Sequence, residues 1–290
     1  MPIIDWGVLV SALIDGISYA MMIFVIAIGL VIIFGLMDIF NLAHAVFFSL
    51  GAYLFIQVYV LTNNYFLSLA IPTIIGFVLG VLIERALIKP LYGKHILQLL
   101  LTMGLMILFL QILQVTWPAG LYFPETKIWV LSGMINVLGT RIRVYKFIVI
   151  IGGIMVFVVI DMLLSRTRFG AMLRAGTENR ELAEAFGINI NILFTVAFSL
   201  GTGLALFGGA LVAPLTHATI ELPLTFTLLA FVVPVVGGMK NYRGSFFASL
   251  LIGIIDRLVA YYFSWLSFAI DLIVMITVLL LKPEGLFGGE

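Results

Sequence analysis

The chain has 290 residues, 63% of them hydrophobic and only 10% charged, with a formal net charge of +1 and a mean hydropathy of +1.25. An ordinary soluble domain carries about a quarter charged residues, so this composition excludes a wettable globule: there is too much apolar surface to bury. The near-zero charge gives no long-range electrostatic case for nucleic acid, and the lack of cysteine removes disulfides, thiolate metal sites and thiol chemistry.

The opening MPIIDWG lacks the positive stretch and small-residue cleavage site of a signal peptide, so the first apolar segment is expected to be a retained span. Apolar segments follow at about 8–34, 40–61, 65–88, 96–115, 145–164, 191–213, 222–239, 244–262 and 266–281. No Asp, Glu, Lys or Arg occurs from Ile39 to Ile83, from His95 to Pro124, or from Ala185 to Ile220. Each run exceeds the about 20 residues that cross a bilayer. The pattern predicts an all-α polytopic membrane protein of eight to nine spans with discontinuous helices, forming a single domain over 1–290. Segment 222–239 is bracketed by Pro223 and Pro234, and both a full crossing and a re-entrant path stay open for it.

Orientation follows from Lys and Arg near the span ends. Arg85, Lys89 and Lys94 fall in one connection, Arg166, Arg168, Arg174 and Arg180 in another, and Lys240, Arg243 and Lys282 lie beyond. Nine passes with the N-terminus outside and the C-terminus cytoplasmic place all of these on the inner side. Lys127, Arg141, Arg143 and Lys146 oppose that scheme and are outvoted by the two inner loops.

Between the first two spans, FGLMDIFNLAHAVFFSLGAY brings Asp38, Asn41 and His44 into an apolar setting. A metal site needs about three or four ligands, and no second histidine or carboxylate stands four residues from His44. The expected reading is a short non-helical break facing a cavity, with Asn41 or Asp38 capping the next helix and His44 lining or supporting a passage. In 191–213, Gly201, Ala205, Gly209 and Ala213 recur every four residues and put a small-residue face against another backbone.

Asp161 is expected at the inner interface. Asp256 and Arg257 are adjacent and not expected to face one another, so Arg257 is expected to pair with Asp271. No catalytic constellation or phosphate-cradling loop is visible. The most hydrophilic stretch, 165–190, predicts a helix at about 178–186 capped by Thr177, with Glu178 in its first turn and Gly187 ending it. Leu182, Ala185 and Phe186 give that helix an apolar face that needs a neighbour: the membrane surface, the protein's own bundle, or a cytoplasmic partner.

These residues together resemble the membrane permeases of ATP-driven branched-chain amino acid importers. The family's GMINFAHGE…GSY pattern appears as Gly35 to Tyr53, matching at Asn41, Ala43, His44, Gly51 and Tyr53. Its cytoplasmic loop pattern is matched by Arg168, Gly170, Arg174, Ala175, Asn179, Ala183, Gly187, Ile188 and Asn189. GGALVAP, AFVVPVVGGMKNYRGSFFASLLIG and KPEGLFG follow in order, so the resemblance covers essentially the whole chain. Ala45-Val46 replaces the usual Gly-Glu, Pro234 disturbs the stretch before Gly237 and Gly238, and Lys240-Asn241 replaces a small Gly-Ser.

The resemblance implies a permease in a bacterial or archaeal cell membrane, working with a homologous second permease, two cytoplasmic ABC ATPases and an extracytoplasmic solute-binding protein. The solute would be a branched-chain or related small neutral amino acid, with urea, short amides or another small organic solute as the alternative. ATP hydrolysis would belong to the partners, and no cofactor or metal is implied. Asp38, Asn41, His44, Pro234, Gly237 and Gly238 are then expected at the pathway or its helix breaks. Leu182 and Phe186 would insert into the ATPase, with Arg174, Thr177, Glu178, Arg180 and Gly187 shaping or rimming the contact. A secondary transporter would share the broken apolar helices but need no docking helix, and a haem subunit would want paired histidines.

Overall fold

The structure is a computed structural model of the chain and describes residues 6–124, 128–137 and 139–288. The opening residues 1–5 and Lys127 lie outside the described residues. α1 runs Trp6–Met37, α2 His44–Thr62 and α3 Tyr65–Ile83; a π turn at Glu84–Ile88 and a 3-10 turn at Lys89–Leu91 continue α3. After α4 (His95–Thr116) come a short α5 (Trp129–Ser132) and strands β1 (Met134–Val137) and β2 (Thr140–Arg143). Then follow α6 (Tyr145–Arg166), α7 (Arg168–Glu178), α8 (Arg180–Ala185), α9 (Ile190–Thr216), α10 (Leu222–Gly237), α11 (Tyr242–Tyr262) and α12 (Ser267–Leu281).

Among the described residues, seven helices are long and apolar enough to cross a membrane. α10 and α12 have 16 and 15 residues. At 1.5 Å per residue they reach about 24 and 22 Å, short of a ~30 Å hydrocarbon layer. Successive long elements nonetheless alternate between two ends of the bundle. α10 begins beside Ala218, which exchanges both backbone bonds with Leu121 at 2.8 Å. It leads to Lys240, whose Nζ lies 3.0 Å from Asp38 at the end where α1 stops. The chain therefore enters α10 from one end of the bundle and leaves it at the other.

α1 is the axis. Every residue from Ala20 to Ile33 is buried, as expected for a helix that is apolar all round. α9 lies against α1, α2 and α3, and glycines set the distances. A Cβ on Gly201 would stand 2.6 Å from the Gly29 carbonyl oxygen of α1, and one on Gly209 1.7 Å from that of Phe48 in α2. Ala205 and Ala213, between and beyond them, are completely buried. Gly76 and Gly80 bring α3 close to Gly203 and Ser199, whose Cα atoms would lie 3.0 and 2.6 Å from an added Cβ. Without a hydrophobic driving force in lipid, this close backbone approach is what holds such helices together.

The expectation of an all-helical chain needs one addition. β1 and β2 pair antiparallel from Met134↔Arg143 to Val137↔Thr140, around Gly139 at φ +86°. Alternation in MINVLGTRIR, with a two-residue turn ending in glycine, is the signal for it. Ile142 packs inward while Arg141 and Arg143 face out.

Candidate functional site

α1 ends because Asp38 takes a left-handed conformation, φ +51°, while its N–H still bonds the Phe34 carbonyl at 2.9 Å. Aspartate tolerates that region better than most side chains. Residues 38–43 are non-helical, and they turn back into the bundle. His44, the first residue of α2, packs on Gly29 and places Nε2 2.8 Å from the Ile26 carbonyl oxygen. Gly29 and Ile26 lie eight and eleven residues before Met37, so α2 starts about 12–16 Å below the end of α1. The inserted segment is shielded: Ile39, Asn41 and Ala43 are buried, and Thr102 of α4 donates to the Phe40 carbonyl at 3.1 Å.

The side chains of this break divide into three roles. Asp38 is half exposed and faces Lys240 at 3.0 Å, with Arg180 3.9 Å away. His44 is a staple between α2 and α1. A carbonyl only accepts, so Nε2 carries the proton, and the bare Nδ1 has no protein partner. Asn41 has no solvent exposure, and neither its Oδ1 nor its Nδ2 has a hydrogen-bond partner. The expected capping does not occur: Ala43 holds the N-cap position of α2 without a side-chain bond, and Asn41 contributes its backbone carbonyl to His44 N–H at 3.2 Å. The tight turn at 42–43 brings that carbonyl to the helix start and leaves the amide side chain free.

Pro234, Gly237 and Gly238 form a packed corner. A Cβ on Gly237 would meet Gly244 and Ser245 of α11 at 2.6 Å, and Gly238 adopts φ +101°. Asn241 caps α11 through Gly244 N–H at 2.9 Å and donates to the Phe287 carbonyl at 3.0 Å, tying in the C-terminal KPEGLFG. Pro234 is buried within α10. Beside this corner opens a cavity of about 1140 Å³, between Gly35 of α1, Gly170 and Arg174 of α7, and Gly238 and Lys240.

The hydrophilic loop folds differently from expectation at its cap. α7 continues through Thr177, whose Oγ1 donates back to the Arg174 carbonyl at 2.7 Å. Asn179, extended at φ −153°, interrupts the helix and caps α8 through Leu182 N–H at 2.9 Å. Asparagine is the better N-cap, so the second helix starts two residues late and spans six residues. Gly187 at φ +84° ends it, with Ile188 N–H bonding the Ala183 carbonyl at 3.0 Å and Gly187 N–H bonding Glu184 at 2.9 Å. Leu182 and Phe186 are 55% and 79% exposed. Glu178 is exposed too. Both arginines bond helix-end carbonyls: Arg174, itself exposed, donates to Leu164 and closes the α6–α7 corner, and Arg180 reaches Leu36 and Phe194. Helix-end carbonyls within reach attract a guanidinium.

Sequence reading missed the cluster at the π turn. Glu84 is fully buried; Thr195 of α9 donates to its Oε2 at 2.7 Å and Tyr92 donates to its Oε1. A lone acid closing an uncharged run of this length is the signal that points to it. Asp161 pairs with Arg243 at 2.7 Å and accepts from Tyr242 at 3.0 Å, at the same end of the bundle. The expected Arg257–Asp271 pair is absent among the described residues. Arg257 instead folds back, with Nε 3.0 Å from Asp256 and its guanidinium 3.9 Å over the Tyr19 ring. A flexible arginine can double back on its neighbour when an aromatic face covers it.

The family described as "Branched-chain amino acid transport system / permease component" matches residues 12–281. The permease protein BraD of Pseudomonas aeruginosa, of a high-affinity branched-chain amino acid transport system, is 26% identical, over 97% of this chain and 94% of its own. The probable branched-chain amino acid transport permease protein LivH of Methanocaldococcus jannaschii is also 26% identical, over 94% of this chain and 91% of its own. Its LivM counterpart in the same organism is 28% identical over 49% of this chain and 46% of its own. With the family matching almost from end to end, this multi-pass membrane chain belongs to the permease components of branched-chain amino acid transport systems.

Proposed function

We propose that this chain is one permease subunit of an ATP-driven importer, with its N-terminus outside and C-terminus in the cytoplasm, and that the inserted 38–43 segment borders the solute path. The observation that carries the site is Asn41: a fully buried amide with neither polar atom partnered. Such a group costs about 1–3 kcal/mol, so its retention in a permease argues for a ligand or water that meets it. The relatives' names favour a branched-chain or similar small neutral amino acid. Ala45-Val46 in place of Gly-Glu leaves urea and short amides as the second reading. ATP hydrolysis falls to two cytoplasmic ATPases, a homologous permease completes the membrane pair, and an extracytoplasmic binding protein delivers the solute.

Leu182 and Phe186 supply the apolar contact for the ATPase, since a helix as short as α8 gains stability only by packing on something. Phe186→Ala is expected to leave membrane insertion intact and to weaken co-purification of the ATPase. The deciding experiment is reconstitution with the partner subunits and binding protein, followed by uptake of labelled leucine, urea and acetamide. ATP-dependent leucine uptake supports the reading. Urea uptake without leucine replaces the substrate, and uptake driven by an ion gradient without ATP replaces the class.

A further inference from the structure

α8 and its C-cap residue present the exposed Leu182 and Phe186, and its first residue, Arg180, reaches into the protein. The Arg180 guanidinium donates to the Leu36 carbonyl at 3.0 Å, in the last turn of α1 and two residues before Asp38. It lies 4.8 Å over the ring of Phe194 in α9, and 3.9 Å from Asp38. Phe194 in turn meets Tyr92 edge-on at 5.0 Å, and Tyr92 donates to the buried Glu84. One side chain thus joins the partner-facing helix, the end of α1 above the inserted segment, and the α3–α9 contact.

We propose that Arg180 is a positioning residue that transmits displacement of α8 to the α1–α2 break. This rests on the ATP-driven reading above. A guanidinium on a helix-end carbonyl is held by a charge-assisted bond and by the helix dipole, and its planar face is fixed on Phe194. When α8 moves with a docked ATPase, the bond to Leu36 pulls on the last turn of α1. That turn can yield because Asp38 behind it is already outside the helix. The segment that follows carries Asn41, so the far end of the lever is the inserted break. Arg180 therefore acts inside the subunit, whereas Phe186 acts at its surface.

The chain contains no cysteine, so a single one reports locally. Gly35 adjoins Leu36, faces the cavity, and would receive a Cβ with nothing within 4 Å. In the complex carrying Gly35→Cys, thiol alkylation is timed with ATP and vanadate and without nucleotide. The rates are expected to differ by roughly five-fold or more, the lower range of ordinary coupling. Adding Arg180→Gln should abolish the difference in complexes that still assemble, and Arg180→Lys should restore part of it. An arginine that merely braces the fold would shift both rates together. If Arg180→Gln does not assemble, Phe194→Leu removes the stacking face alone and should reduce the difference. An undiminished difference in the Arg180→Gln complex, or in Phe194→Leu where that is the variant that assembles, overturns the lever. A complex with native Arg180 that imports solute on ATP yet shows no nucleotide response at this position also overturns the lever, whereas import that needs no ATP overturns the ATP-driven reading itself.

Discussion

A buried asparagine with no protein partner is a costly way to fill its space, which makes Asn41 the most informative single residue. Replacing such an amide by a side chain of similar shape removes its desolvation penalty without breaking any bond to the protein. Asn41→Leu is accordingly expected to raise the stability of the purified permease by about 1–2 kcal/mol, read as a higher melting temperature. The same variant should lose most uptake while binding-protein affinity is unchanged. A variant that melts lower and transports normally would make Asn41 a structural residue. The contrast with His44 shows how far polar spacing can be read. That the pair sits at a break was legible from their place in an apolar run. Which of them is stapled and which is free depends on the Ile26 carbonyl, 18 residues away, and no local pattern encodes that.

Helices in this bundle are fixed by where a side chain is missing. On α9, Gly209 faces the Phe48 carbonyl so closely that an added methyl has no room, whereas Gly35 of α1 opens on the cavity. Gly209→Ala is expected to cost about 3 kcal/mol, the upper end for overpacking, by forcing α2 off α9. Gly35→Ala, with no neighbour to disturb, should stabilise by up to about 1 kcal/mol through helix propensity. Thermal unfolding of the two variants in detergent measures both, and equal shifts would refute the packing account. The four-residue spacing from Gly201 to Ala213 made this face readable, as the long uncharged runs did the spans. Elements fixed by single polar atoms were less readable. Thr177 and Asn179 compete for one cap, and only the choice of Asn179 ends α7 where it does. The hairpin at 134–143 was obscured because its four-residue strands are too short to stand out beside spans of twenty.

At the scale of the whole molecule, charge and packing agree on two unlike ends. Arg174 and Arg180 of the loop, Lys240 with Asp38, and Arg243 with Asp161 gather where α1, α6 and α10 finish. At the other end Lys146 is neutralised by Asp15, to which Tyr261 also donates at 3.0 Å, and the exposed cations of the hairpin are Arg141 and Arg143. By the positive-inside rule, the end with more Lys and Arg near its span ends is expected in the cytoplasm. Single cysteines at Asn64 and Asn136 are therefore expected to react with a membrane-impermeant maleimide applied to intact cells. Cysteines at Glu184 and Lys240 should react only after permeabilisation. All four positions are exposed in the subunit, so burial within it does not decide the outcome. Labelling of Glu184→Cys from outside would invert the orientation and remove α8 from reach of any cytoplasmic ATPase. Labelling of Lys240→Cys from outside, with Glu184→Cys still protected, would mean that α10 does not carry the chain across, despite the Lys240–Asp38 contact at the end of α1.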